Sequence, residues 1–140
     1  MNSDSVQGFF YGLYMDPELL QSLGVTVSKS RLACLDNSQL DLRGLIKTIP
    51  APGQKVWGML IELTKQDLEF LYSREGAKAY HQERVTVSLL EREMVAATCY
   101  NLPVDEAGVF NQAYVMKLVP VLKKLSFPEA YVRWVQNLTP

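Results

Sequence analysis

The chain is poor in the residues that bind transition metals. It has one histidine, His81, and two cysteines, Cys34 and Cys99, in 140 residues. A single histidine excludes a multi-histidine metal site and weakens any Ser-His or Cys-His mechanism. The two cysteines are too few and too far apart for a zinc site or a disulfide framework. Both lie in apolar runs, RLACL and AATCY, and read as small core residues. An excess of basic charge is also missing. Fourteen Lys and Arg face fifteen Asp and Glu, for a net charge of −1, which argues against a nucleic-acid surface. No apolar run is long enough to span a bilayer, so no membrane association is expected. The opening MNSDSVQG lacks the basic and then apolar regions of a signal peptide, so a cytoplasmic location is expected. Repeats, low-complexity stretches and linkers are absent, and the length fits one domain over 1–140.

What is present is a globular composition, 48% apolar and 21% charged. Residues 7–11 form an aromatic, buried first strand. Asp16 suits a helix cap, Pro17 the first helical position and Gly24 the stop, so 16–23 is a short helix. Alternation over 25–35 predicts a half-buried strand, Asp36-Asn37-Ser38 a turn, 43–49 another strand, and 50–53 a loop. The run KVWGMLIEL is a strand with Gly58 at a bulge or a close backbone approach. A helix starts at Thr64 with Leu68 and Leu71 inward and ends at 73–76. Strands follow over 85–90 and 93–100, joined by a tight turn at Leu90-Glu91-Arg92. Helices are expected at 111–124 and 127–138, the second opened by a capping box from Ser126 to Glu129. The stripe Tyr114, Leu118, Val121, Leu122 and Leu125 reads as core contact. His81 reads as a surface residue, and Trp57 and Trp134 as packing residues. The mixed order with few crossing helices predicts an α+β fold.

Four stretches in order resemble the γ-glutamylcyclotransferase-like family. They are Phe10-Tyr11-Gly12-Leu13-Tyr14-Met15 at the end of the first strand, Val56-Trp57-Gly58, the helix from Leu68 and Leu71 into Glu75-Gly76 and on to Tyr80, and Ala97-Thr98-Cys99-Tyr100. The resemblance implies a small, closed or nearly closed mixed β-barrel with peripheral helices. It also implies cleavage of a γ-glutamyl amine or amino acid to 5-oxoproline and a free amine. Many members carry Ser-Asn or Thr-Leu after Tyr-Gly, where this chain has Leu13-Tyr14. A loop without those side chains must hold ligand mainly through the amides of residues 12–15.

The implied reaction is internal: the α-amine of the γ-glutamyl group attacks its own γ-carbonyl. It calls for no cofactor, metal or protein nucleophile, and the partner is a small-molecule substrate. One carboxylate can take the proton from the amine and return it to the leaving group. An ordinary glutamate, near pKa ~4.3, is too weak a base for this, so partial desolvation must raise it toward ~6–7. The resemblance assigns that role to Glu75; read alone, Glu75 is a solvated residue in the turn 73–76. Glu62, Glu69, Glu83, Glu91 and Glu93 are rivals by type, and Glu62 is the one expected to point into a pocket. Tyr11 alone reads as core, and the resemblance makes it line the cavity beside the loop; Tyr14 either covers the first helix or replaces the missing loop side chain. Tyr80 and Tyr100 either line the barrel or hydrogen-bond the substrate. The alternatives are a non-catalytic binding module of the same fold, or another amide-bond chemistry on it.

Overall fold

The computed structural model describes residues 5–74, 77–90, 93–102 and 109–138. The strands are β1 (Ser5–Phe10), β2 (Lys29–Asp41), β3 (Lys47–Thr64), β4 (His81–Leu89) and β5 (Met94–Asn101). The helices are α1 (Pro17–Ser22), α2 (Lys65–Ser73), α3 (Gln112–Lys124) and α4 (Glu129–Gln136), with a 3₁₀ turn at Leu13–Met15 after β1. The strands close into a barrel in the order β1-β3-β2-β4-β5. Four of the pairings are antiparallel, and β1 and β5 seal the barrel in parallel through Gly8–Thr98 and Phe9–Cys99. The expected α+β fold with a small mixed β-barrel and peripheral helices is therefore observed.

Sequence signals account for most element ends. Asp16 Oδ1 accepts from the Glu18 amide at 3.0 Å, with Pro17 in the first helical position. Thr64 caps α2 by accepting from the Asp67 amide. Asn111 caps α3 by accepting from the Tyr114 amide. Along β3, Met59, Leu60, Ile61 and Leu63 are all buried, because one face of the strand fills the barrel and the other lies under packed elements. Leu118 and Leu122 of α3 and Val132 and Val135 of α4 are buried too; fully burying one such side chain contributes roughly 1.5–3 kcal/mol. Among the described residues, no helix is long and apolar enough to cross a membrane.

Three expectations are corrected. The turn at 36–38 and the loop at 50–53 are not breaks. β2 and β3 run through them, with Asp36 opposite Lys55 and Ser38 opposite Pro50. Residues 51–54 thus bulge out against Asn37 alone, which takes φ 56° and accepts the Gly53 amide on Oδ1 at 3.1 Å. The excursion accommodates the prolines, which a regular ladder tolerates poorly. The capping box at 126–129 does not form, since the N-cap of α4 is Pro128. Ser126 instead ends α3 at φ 59°, with its amide donating to the Lys123 carbonyl and that of Phe127 to Leu122. These two bonds make a Schellman closure with serine in the usual glycine position. The turn expected at 90–92 falls partly outside the described residues; beside it, the Leu89 amide donates to the Glu93 carbonyl.

Candidate active site

The end of β1 delivers Phe10 and Tyr11 to a cavity of about 240 Å³. Its wall continues through Gly12, Leu13 and Tyr14, then Leu45 and Ile46 from the β2–β3 connection, Tyr72 of α2, Ala77, Tyr80, Asn111 and Tyr114. Five of the chain's seven tyrosines line it. A sixth, Tyr100, lies behind the wall, stacked on Tyr72 at 3.9 Å with the rings 4° from parallel.

Gly12 has an ordinary extended backbone, φ −115°, so its lack of a side chain serves space rather than conformation. A Cβ at Gly12 would run into the Tyr114 hydroxyl. That hydroxyl accepts the Leu13 amide at 2.9 Å and fastens the loop to α3. Asn111 sets the start of α3: its amide donates to Leu42, and its Nδ2 donates to the Gly44 carbonyl at 3.4 Å. At the other end of the helix, Lys124 Nζ donates to Asp16 Oδ2 at 2.9 Å and also pairs with Glu18, so the loop is clamped at both ends. Within the 3₁₀ turn the Met15 amide donates to Gly12 and the Asp16 amide to Leu13. Two of the four amides expected to hold ligand, those of Leu13 and Met15, are thus engaged within the protein, while those of Gly12 and Tyr14 stand outside these three bonds.

The Tyr11, Tyr14 and Tyr80 phenols are held by hydrogen bonds to the surrounding chain. The single Tyr11 O–H is shared between the Tyr100 carbonyl (2.9 Å) and Asn101 Oδ1 (3.1 Å). Asn101 is itself saturated: Oδ1 accepts the Thr48 amide, and the two Nδ2 hydrogens are shared among the Thr48 carbonyl, the Thr48 hydroxyl and Glu83. Tyr14 donates to the Leu71 carbonyl at 2.8 Å and accepts from Arg74 Nη1 at 3.4 Å. Tyr80 donates to the Ile46 carbonyl. Burial pushes the Tyr11, Tyr72 and Tyr80 phenols well above the ordinary tyrosine range. It pushes Tyr114 up to about 12, against the opposing pull of the Leu13 amide. Near neutral pH all four are therefore protonated hydrogen-bonding groups, not bases. Among the described residues the wall carries no charged side chain.

Of the residues singled out from the sequence, Tyr11, Gly12, Leu13, Tyr14 and Tyr80 meet at this cavity. Met15 does not join them; it is fully buried beneath the loop. Tyr100 supports the wall from behind. Glu75 lies outside the described residues, as does Glu91. Glu62, expected to point into a pocket, is half-buried on β3 opposite Gln7 and Lys29 and is not part of the wall. Glu69, Glu83 and Glu93 are exposed. Tyr114, expected as core, and Tyr72 are wall residues that the helical pattern hid. The abundance of tyrosine over phenylalanine in apolar segments is the signal that points to them.

A sequence profile of the AIG2-like family matches residues 55–135, more than half of the chain, and the chain belongs to that family. No curated protein matches it in sequence. In structure it is similar to a γ-glutamyl cyclotransferase with TM-score 0.82 and 20% identity, covering 97% of this chain and 89% of that one. It is similar to a yeast γ-glutamyl cyclotransferase described as specific to glutathione, with TM-score 0.68, 14% identity and coverage of 95% and 94%. An AIG2-like protein from mouse aligns with TM-score 0.58 and 18% identity over 76% of this chain and 95% of that one. At these identities the likeness shows the fold. The chain thus has a γ-glutamylcyclotransferase-like fold.

Proposed function

We propose that the protein is a cytoplasmic, cofactor-independent cyclotransferase that converts a γ-glutamyl amine or amino acid to 5-oxoproline and the free amine. The observation that carries this is the makeup of the cavity. A γ-glutamyl group is polar at its α-carbon and needs donors and one base. The wall includes Gly12 and Tyr14, whose amides stand outside the loop's own bonds, and the tyrosines Tyr72 and Tyr114, and its described residues include no carboxylate. The residues that bracket Glu75 border the cavity: Arg74 donates to Tyr14, and Ala77 is in the wall.

In the proposed reaction Glu75 takes a proton from the substrate's α-ammonium. The freed nitrogen bonds to the γ-carbonyl carbon, and the carbon–nitrogen bond to the departing amine then breaks. Glu75 returns that proton to the departing nitrogen, and the second hydrogen that the ring nitrogen sheds follows by way of the same carboxylate. The amine thus leaves as an ammonium, 5-oxoproline keeps one N–H, and no water or other reactant is consumed. The Tyr114 hydroxyl, its oxygen already accepting Leu13, can donate to the developing oxyanion. Losing one such donor typically costs about 2.7–4 kcal/mol of barrier. Tyr11, Tyr80 and Tyr100 shape and brace the wall.

The test is to incubate wild-type protein and Glu75→Gln with a panel of γ-glutamyl compounds and assay 5-oxoproline. Turnover by the wild type alone is expected, and undiminished turnover by the variant rejects Glu75 as the base. A second reading, a non-catalytic binding module of the same fold, is favoured by the Leu13 amide being already engaged and by Tyr14 occupying wall space. Tight binding without turnover of any panel member would select it.

A further inference from the structure

We infer that a second cavity, separate from the tyrosine-lined one, binds a small organic cation: a primary ammonium on a short alkyl chain. The inference goes beyond the cyclotransferase reading and does not depend on it. β2 and β4 pair at Ala33–Leu89 and Cys34–Ser88 and then part. Beyond that point β2 bulges at Asn37, whose φ of 56° and bond to the Gly53 amide tie it to β3 instead. A cavity of about 350 Å³ opens there. Leu35, Asn37 and Ser38 of β2 line one part of it, and Glu83 and Val85 of β4 another. Thr48, Ile49 and Pro50 of β3, with Asn101 and Leu102, complete the described wall. None of these residues lines the first cavity.

Glu83 is the one charged residue among the described lining. Its carboxylate accepts from Asn101 Nδ2 at 3.3 Å, and no ion pair reaches it among the described residues. His81 and Arg84, on the same strand, are not in the wall, and Lys47 faces Asp41 at 3.6 Å. In the same wall the Ser38 hydroxyl spends its hydrogen on the Asp36 carbonyl at 3.2 Å, which leaves its oxygen to accept. Negative charge beside an oxygen acceptor complements an ammonium, which has three donors and no acceptor. Leu35, Ile49, Pro50, Val85 and Leu102 supply apolar surface for a short alkyl chain. An anion would meet the Glu83 charge with no cation to offset it. A divalent metal needs several oxygen ligands, and among the described residues no group of three or more His, Cys, Asp or Glu could hold one.

The experiment follows the backbone amide NMR signals of the full chain during titration with ethyl-, propyl- and butylammonium chloride, and separately with butanol, sodium butyrate and sodium chloride. The expected result is saturable shifts from the ammonium salts at Ser38, Thr48 and Val85, with affinity rising by up to about four-fold per methylene. Glu83→Gln should weaken butylammonium binding by about five-fold. Glutamine keeps an oxygen for the Asn101 hydrogen at this exposed position, so the variant's remaining signals should overlay those of the wild type. Butanol or butyrate acting on the same signals as strongly as butylammonium overturns the inference. So does an absence of saturable shifts, or a folded Glu83→Gln protein that binds butylammonium as the wild type does. The comparison of cation, neutral and anion on the wild type decides the matter even if the variant does not fold.

Discussion

Gly12 and Tyr114 are 102 positions apart in sequence and share one small volume, which makes them separable by a double-mutant cycle. In Gly12→Ala the new methyl meets the Tyr114 hydroxyl, whereas its next neighbours, Ile46 Cγ2 and Tyr114 Cζ, are at an ordinary 3.7 Å. The backbone needs no change for alanine at φ −115°. The cost is thus overpacking alone, about 1–3 kcal/mol. Tyr114→Phe removes the acceptor of the Leu13 amide, which costs about 1–3 kcal/mol if nothing replaces it. Simple addition gives roughly 2–6 kcal/mol for the double variant. With the hydroxyl gone, however, the added methyl has room, so the double variant should cost about as much as Tyr114→Phe alone. The predicted coupling of about 1–3 kcal/mol is read by urea denaturation of the four proteins. Additive losses, or a Gly12→Ala protein as stable as the wild type, would refute the close approach of loop and helix on which the site is built.

Other outcomes follow from the same physics. Asp41→Ala leaves Lys47, 4% exposed, without the partner that lies 3.6 Å away, and should cost about 3–5 kcal/mol by chemical denaturation. Hydrogen bonds from Arg43 hold the Asp41 carboxyl below its ordinary range. The unfolded chain then takes up this proton first, so its contribution to stability is complete above about pH 4 and is lost as pH falls further. A scan of denaturation midpoint against pH checks this, and Asp41→Asn should flatten it. In alkali the sign reverses: the buried phenols, Tyr114 at about 12 among them, keep their protons after the unfolded tyrosines ionise near pH ~10. Stability should therefore decline above about pH 10, and ultraviolet titration should show late-ionising tyrosines. Ser126→Gly relieves a left-handed serine and should add about 0.5–1 kcal/mol in thermal or chemical unfolding.

How far the sequence foretold this structure depends on whether the controlling contact is local. Asp16 with Glu18, Thr64 with Asp67 and Asn111 with Tyr114 are bonds within one turn of chain, and each of these helix starts was legible. The close approach at Gly58 was legible as well: a Cβ there would strike the Phe10 carbonyl and the Phe9 ring. The continuous β2–β3 ribbon was not, because its bulge depends on the partner strand and on Asn37 reaching Gly53 across it. Barrel closure by a parallel β1–β5 pair leaves no mark in any one segment and came only with the family resemblance. At the site, Tyr11 through Tyr14 were visible as a strand-to-turn motif. Tyr72 and Tyr114 were hidden, since on a helix a tyrosine facing a cavity has the same spacing as one facing the core.

The central claim is that Glu75 and the 12–14 loop act on one substrate across a shared cavity. A crystal structure with 5-oxoproline bound tests it most directly. The account predicts the product in the tyrosine-lined cavity, with its carboxylate or carbonyl oxygen on the Gly12 or Tyr14 amide and a Glu75 oxygen about 2.6–3.2 Å from the ring nitrogen. A product bound elsewhere, or a Glu75 carboxylate directed away from an occupied cavity, would contradict it.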